Sequence, residues 1–303
     1  MANEGSMGNF KKFSAAAIGA ALTVSSLPAA ADWGGLNMRL GVSELSRDIY
    51  GLHMLMLWIC VAIATLTFGA MILAMVKFRK SKGAVADTNL THSTKLEIAW
   101  TIVPVFILIG MAIPSVDKLI KIEDTSGSEL TIKVTGYQWF WQYEYVGEEV
   151  SFFSRLAQTS NETRQLGSGK NPADVENYLL EVDKPLVVPT GTKIRILLTA
   201  NDVIHAWWVP DFGMKRDAIP GFINEMWISV DADKPGTYRG QCAELCGRDH
   251  GFMPVVVVAK PKAEFEAWLA EQQAAGQQAS TGAATTAAVE SAAAAAVALA
   301  KAE

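Results

Sequence analysis

Cys242-Ala-Glu-Leu-Cys246-Gly-Arg-Asp-His250-Gly-Phe-Met253 places two thiols, an imidazole and a thioether in one short run. That donor set favours copper over magnesium, calcium or another hard, oxygen-ligated ion. Three residues separate the cysteines, so both sulfurs can turn toward one point and bridge two metal ions. A Cys242–Cys246 disulfide is the plain alternative. So short a loop gains little from closure, and it would leave His250 and Met253 without a role. The chain has 3 cysteines in all, and Cys60 lies in an apolar run. A disulfide framework would need more of them, more widely spaced.

Working outward, a further donor is His205, in Asn201-Asp-Val-Ile-His-Ala-Trp-Trp-Val-Pro210, just after a β-rich run at Lys193–Thr199. An upstream His with a C-terminal Cys/His/Met loop is how a cupredoxin-type sandwich closes on copper. A single blue-copper ion needs two His, one Cys and an axial Met. The second cysteine here allows two three-coordinate ions with bridging thiolates and one His each. Met253 is then a weak axial ligand to one ion, and the backbone carbonyl of Glu244 serves the other. The chain has 4 histidines, and this constellation takes two of them. A lone His205 would more simply be a core histidine.

The remaining sequence supplies a frame. The chain has 303 residues, 50% hydrophobic, with net charge −5. That suffices for a membrane part and one compact domain. Lys11 and Lys12, an apolar stretch Phe13–Leu27 and Ala29-Ala30-Ala31 read as an export signal over 1–31, cleaved before Asp32. A short exported segment, 32–50, would follow. Gly51–Val76 and Ile98–Val116 are uncharged and long enough to cross a bilayer. The expected spans are 51–78 and 96–116. Pro104 and Pro114 in the second are tolerated where neighbours satisfy the freed carbonyls. The loop 79–95 and its flanks hold Lys77, Arg79, Lys80, Lys82 and Lys95 against Asp87, which places the loop in the cytoplasm and everything after Val116 on the exported side.

Residues 117–260 change character. Short β-rich runs at Leu130–Val134, Tyr137–Tyr145, Tyr178–Val182, Leu186–Val188, Lys193–Thr199, Glu225–Val230, Gly236–Gln241 and Met253–Ala259 predict an all-β sandwich or barrel. Residues 146–177 look like a polar insertion. Lys262–Gln273 predicts a short helix, and 261–303 ends in an Ala-rich, low-complexity tail. The fold class expected is a two-helix transmembrane hairpin followed by an all-β, cupredoxin-like sandwich.

The loop at 242–253, the His205 segment, Asp217-Ala-Ile-Pro-Gly221 and the helical hairpin together closely resemble subunit II of a bacterial haem–copper cytochrome c oxidase, from about residue 32 to about residue 260. The resemblance implies an aa3-type oxidase subunit with a binuclear copper centre, CuA, held by His205, Cys242, Glu244 (backbone carbonyl), Cys246, His250 and Met253. It implies electrons from cytochrome c and delivery to haem a of subunit I, which holds haem a, haem a3 and CuB, reduces oxygen and pumps protons. Subunit III and membrane lipid are further implied neighbours, and no nucleic acid is. The implied location is the bacterial inner membrane, with the copper domain in the periplasm.

The same resemblance gives roles to single residues. Trp139, in Gly136-Tyr-Gln-Trp-Phe-Trp-Gln-Tyr-Glu-Tyr145, matches the surface tryptophan that receives the electron. Aromatic alternation on a strand is otherwise most often core, and Trp141 and Tyr143 would share its face. Asp202 and Asp217 match acidic docking positions for a basic cytochrome, and Asn201 stands where relatives can carry a carboxylate. The Glu244 side chain matches a magnesium ligand, an ion suited to carboxylate oxygen. Glu97, otherwise a helix-start carboxylate facing the macrodipole, matches the mouth of the K proton pathway. His92 reads as an exposed loop residue.

Three rivals share parts of this pattern. A quinol oxidase subunit II lacks the copper ligands that are intact here. The CuA domain of nitrous oxide reductase lacks the hairpin. An exported copper chaperone would not need a tryptophan beside a closed site.

Overall fold

The computed structural model describes residues 33–85, 88 and 91–278. The expected export signal and most of the Ala-rich tail lie outside these residues. A short 3-10 turn, Trp33–Leu36, is described by itself.

Helix α1 is Glu44–Lys77 and helix α2 is Thr94–Glu123. Ser43 begins α1 with a reciprocal cap. Its Oγ accepts the Ser46 N–H at 3.0 Å, and Ser46 Oγ accepts the Ser43 N–H at 2.9 Å, which satisfies two otherwise orphaned donors. Both helices are long and apolar enough to cross a membrane, and neither apolar stretch is buried within the chain. They extend past the uncharged runs. The 34 residues of α1 rise about 51 Å, against a hydrocarbon core of about 30 Å. Its charged first turns therefore stand beyond the lipid. There Lys121 Nζ reaches Glu44 at 2.6 Å and Asp48 at 2.7 Å, and Lys118 Nζ reaches Asp48 at 3.2 Å, tying the two helices together.

The hairpin is fastened to the β domain through the segments that follow β6 (His205–Trp208) and β8 (Asn224–Ile228). Val42 N–H donates to Asp211 O at 3.0 Å, and Asp231 N–H donates to Val42 O at 2.9 Å. Arg47 pairs with Asp231 at 2.5 Å, and Leu45 is buried in the domain core. Gly41, at φ 77°, is required here. A Cβ would fall 2.2 Å from Ser46 Oγ and 2.6 Å from Asp211 O.

The domain is two five-stranded sheets. One runs β3 (Val150–Ser154), β2 (Phe140–Tyr145), β1 (Leu130–Tyr137), β5 (Ile194–Ala200), β8. The other runs β4 (Leu186–Pro189), β10 (Pro254–Lys260), β9 (Gly236–Cys242), β6, β7 (Lys215–Ala218). Alternation decides the core: Ile132 and Val134, Trp141, Tyr143 and Tyr145, and Ile194, Ile196 and Leu198 all face inward and are buried. Strand β10 is buried on both faces at Val255–Val257. A helix at 262–278, α4, lies beyond it and packs Phe265 and Trp268 against Tyr145. The expected two-helix hairpin and sandwich are both present.

Several boundaries differ. The run Tyr137–Tyr145 is two strands, with Gln138 and Trp139 forming the turn between Tyr137 and Phe140, which pair in register. Trp139 is thus not on a strand with Trp141 and Tyr143. Tyr178–Val182 is not a strand. Asn177 and Leu179 have positive φ (50° and 63°), which breaks the extended path, and only Val182 forms an isolated bridge, to Leu156. The region 146–177 is more ordered than expected: β3 pairs with β2, and the short helix α3 (Gln158–Thr163) follows. Strands β6 and β7, four residues each, were absent from the expected set.

Candidate metal centre

Four segments deliver the donors to one place. His205 opens β6 and is fully buried. Cys242 closes β9, where it pairs in register with Trp207 of β6. Cys246 lies in the following loop. His250 begins a 3-10 turn, His250–Phe252, and Met253 leads into β10. The loop is drawn closed by Cys242 N–H to Met253 O at 3.3 Å, and by Ala243 N–H to Ala206 O at 3.0 Å.

The two sulfurs sit 3.8 Å apart and are not bonded. Each has one imidazole and one weaker donor. Cys242 Sγ is 3.9 Å from His205 Nδ1 and 3.3 Å from Glu244 O. Cys246 Sγ is 3.5 Å from His250 Nδ1 and 3.5 Å from Met253 Sδ. Both histidines present the same ring nitrogen. The ligand atoms of His205, Cys242 and Cys246 lie within 4.8 Å of one another, and all three residues are buried. The donor set is soft, convergent and closed, which fits copper. All six expected ligands are brought together, and the Glu244 side chain is exposed while its carbonyl faces Cys242.

Electrostatics separate the two thiols. Burial works against ionisation of Cys242. The hydrogen bond with His205 and those with the backbone at Ala206 and Glu244 outweigh it and bring the thiol to about 7. Burial and the neighbouring Cys242 thiolate push Cys246 up to about 12. The closely spaced thiol pair therefore resists losing both protons, and a bound metal would have to displace what remains.

Asp202 is turned inward. Its Oδ1 lies 2.9 Å from His205 Nε2, and its two oxygens accept the N–H groups of Val203 and Gln138 at 2.7 Å each. Burial raises its pKa, but the bonds from His205, Gln138 and Val203 hold it below the usual carboxylate range. A carboxylate on the far nitrogen of a ligand histidine fixes the ring's tautomer and direction. Sequence reasoning assigned Asp202 only a docking role; its position three residues before His205 was the available signal.

Trp139 is half-buried beside the loop. Its Nε1–H donates to Cys246 O at 3.1 Å, and Gln138 Nε2 donates to the same oxygen at 2.8 Å. Arg248 sits 5.6 Å above its ring. Gly247, at φ 115°, lets the loop pass: a Cβ would be 3.1 Å from Trp139 Cζ2. Gly136 and Gln138 went unrecognised in the sequence, although a glycine inside an aromatic strand signals close backbone approach.

The other expected residues lie elsewhere. Asp217 is exposed on β7, opposite Ala206. Glu97 is in the first turn of α2, where Oε1 lies 3.3 Å from Nδ1 of the exposed His92.

The family model "Cytochrome C oxidase subunit II, periplasmic domain" matches residues 130–260, and "Cytochrome C oxidase subunit II, transmembrane domain" matches residues 31–117. A probable cytochrome c oxidase subunit 2 of Rickettsia bellii is 36% identical over 231 residues, 76% of this chain and 81% of that protein. Cytochrome c oxidase subunit 2 of Cereibacter sphaeroides is 35% identical over 254 residues, 80% of this chain and 81% of that protein. The crystal structure of the periplasmic domain of subunit II of cytochrome oxidase of Bradyrhizobium japonicum is 40% identical, with TM-score 0.43, covering 50% of this chain and 97% of that one. With both helices and the whole sandwich matched, the chain belongs to the cytochrome c oxidase subunit II family and is a membrane-anchored subunit of a haem–copper oxidase, associated with other oxidase subunits.

Proposed function

We propose that this chain is the electron-receiving subunit of an aa3-type cytochrome c oxidase in a bacterial inner membrane, with the sandwich in the periplasm. The observation that carries the reading is the pairing at the two sulfurs: each of Cys242 and Cys246 has its own imidazole Nδ1 and its own weak donor. Cys242 and Cys246, each with its own histidine, would hold a two-copper centre there, which would supply one-electron relay from cytochrome c to haem a of subunit I. Oxygen reduction and proton pumping belong to subunit I.

The chain's own residues do the rest. Trp139 takes the electron at the surface and passes it through its Nε1–H bond to the Cys246 carbonyl. Residues 117–303 carry 17 Lys+Arg against 25 Asp+Glu, and this field steers a basic cytochrome. Asp217 contributes from the surface. Asp202 docks less than it orients, since its side chain is only 28% exposed and bound to His205. The Glu244 carboxylate, exposed beside the ligand carbonyl, holds magnesium jointly with subunit I. Glu97, with His92, collects protons at the cytoplasmic end of α2.

Rapid mixing of the purified oxidase with reduced cytochrome c tests this reading. The copper absorption should bleach before haem a reduces, at a rate that falls with salt. Haem a reducing ahead of the copper, or a copper band that never bleaches, would contradict it.

A further inference from the structure

The two imidazoles are held in different ways. His205 is braced directly, by Asp202 on its outer nitrogen. Among the described residues, the His250 imidazole has its one hydrogen-bond contact at Nδ1, with Cys246, while the backbone N–H donates to Gly247 O at 3.2 Å. Its ring direction must therefore come from the backbone that carries it. That backbone, the turn His250–Phe252, is gripped from outside by a residue of the 146–177 segment.

Arg164 follows α3 and extends to the ligand loop. Its two terminal nitrogens lie 3.5 and 3.4 Å from the two oxygens of Asp249, a parallel fork. The same guanidinium carbon sits 4.2 Å from the centre of the Phe252 ring. Asp249 caps the start of the turn and Phe252 ends it, and Phe252 N–H bonds back to Asp249 O at 2.9 Å. The grip is also partly out of water: the side chains of Arg164 and Asp249 are 21% and 16% exposed. Arg164 is itself held, since its Nε–H donates to Asn161 Oδ1 at 2.8 Å. The short helix behind it is anchored by the fully buried Ser160, whose Oγ accepts the Leu179 N–H at 3.1 Å.

We propose that Arg164 is a positioning residue for the metal centre: by clamping Asp249 and Phe252 it sets the direction of His250, as Asp202 does for His205. The segment that carries it is then part of the site rather than a surface decoration. The inference rests on the copper reading above, and its test separates the two.

The full chain is purified within its oxidase, as wild type and with Arg164→Gln, Arg164→Lys, Asp249→Asn or Arg239→Gln. Arg239→Gln is the control. It breaks the 2.6 Å Arg239–Glu181 pair, which ties the chain just after the same segment to β9 without touching the ligand loop. Copper loss into a chelator and the copper electron paramagnetic resonance spectrum are read for each. Arg164→Gln and Asp249→Asn should each speed copper loss about 10-fold and shift the spectrum. Their double variant should lose copper no faster than either alone. Arg164→Lys, with charge but no planar fork, should fall between Gln and wild type. Arg239→Gln should match wild type. Wild-type rates and spectrum in both Arg164→Gln and Asp249→Asn overturn the proposal, as does equally fast loss from Arg239→Gln. A wild-type chain that holds no copper overturns the underlying reading instead.

Discussion

Gly136→Ala should damage the metal centre without touching a ligand. Gly136 lies in β1, paired with Trp141 of β2 and Ala200 of β5, and its backbone faces the His205 ring. An added Cβ would sit 2.7 Å from His205 Cδ2, 3.0 Å from Cγ and 3.2 Å from Cβ. The closest contact falls about 0.7 Å short of ordinary van der Waals contact, which begins near 3.4 Å. The ring has nowhere to retreat. It is fully buried, bound through Nε2 to Asp202 at 2.9 Å, and packed edge-on against Trp141 at 5.8 Å. Overpacking of this kind costs about 1–3 kcal/mol. A displacement of several tenths of an ångström also exceeds the roughly 0.2 Å tolerance of metal–ligand distances. The variant oxidase should therefore lose copper at least about 10-fold faster than wild type, and its thermal midpoint should fall by about 2–12 °C. Gly251→Ala is the matched control. It adds the same methyl beside His250, where nothing lies within 4 Å, and should change neither quantity. If Gly136→Ala retains copper and melts like Gly251→Ala, the packing argument is wrong.

Three more outcomes follow from the same geometry. Asp202→Asn weakens the hold on His205 Nε2, and copper affinity measured by chelator competition should fall about 10–100-fold; an unchanged affinity would leave Asp202 only its docking role. Trp139→Phe removes one of two donors to the Cys246 carbonyl, costing about 1 kcal/mol of stability; it should slow reduction by cytochrome c and leave the copper spectrum in place, whereas a collapsed spectrum would make Trp139 a packing residue. Copper uptake should release at least one proton per site near neutral pH, because the thiol pair resists losing both protons and must give up what remains on binding. Apparent affinity should accordingly rise with pH between about 6 and about 9, and a flat profile would contradict that assignment.

The ligands were legible because their chemistry is rare and local. Five of the six lie between Cys242 and Met253, and His205 stands out among 4 histidines. The braces around them were not. Arg164 and Asp249 are 85 positions apart, and neither residue type signals a metal site by itself. Gly136 could be flagged as a close approach, but only the fold shows that His205 is what approaches. The aromatic run from Tyr137 to Tyr145 has the period of one strand, yet the backbone turns at Gln138 and Trp139, and that turn is what puts the indole against Cys246. Tyr178–Val182 has strand-forming side chains, but positive φ at Asn177 and Leu179 outweighs them. Val150–Ser154 was hidden in a polar stretch, because its pairing with β2 depends on the turn at 146–149, where Gly147 and Glu149 take positive φ. The helices were found by composition, and their charged ends were missed because those turns are held by ion pairs and the sandwich rather than by lipid.

Copper count and spin distribution test the central claim most directly. The oxidase containing this chain, oxidised and examined by electron paramagnetic resonance, should show one unpaired electron split by two equivalent copper nuclei. Cys242→Ser and Cys246→Ser should each abolish that pattern, since each sulfur pairs with a separate imidazole. A one-copper pattern in the wild-type chain, or the two-copper pattern surviving either substitution, would contradict it.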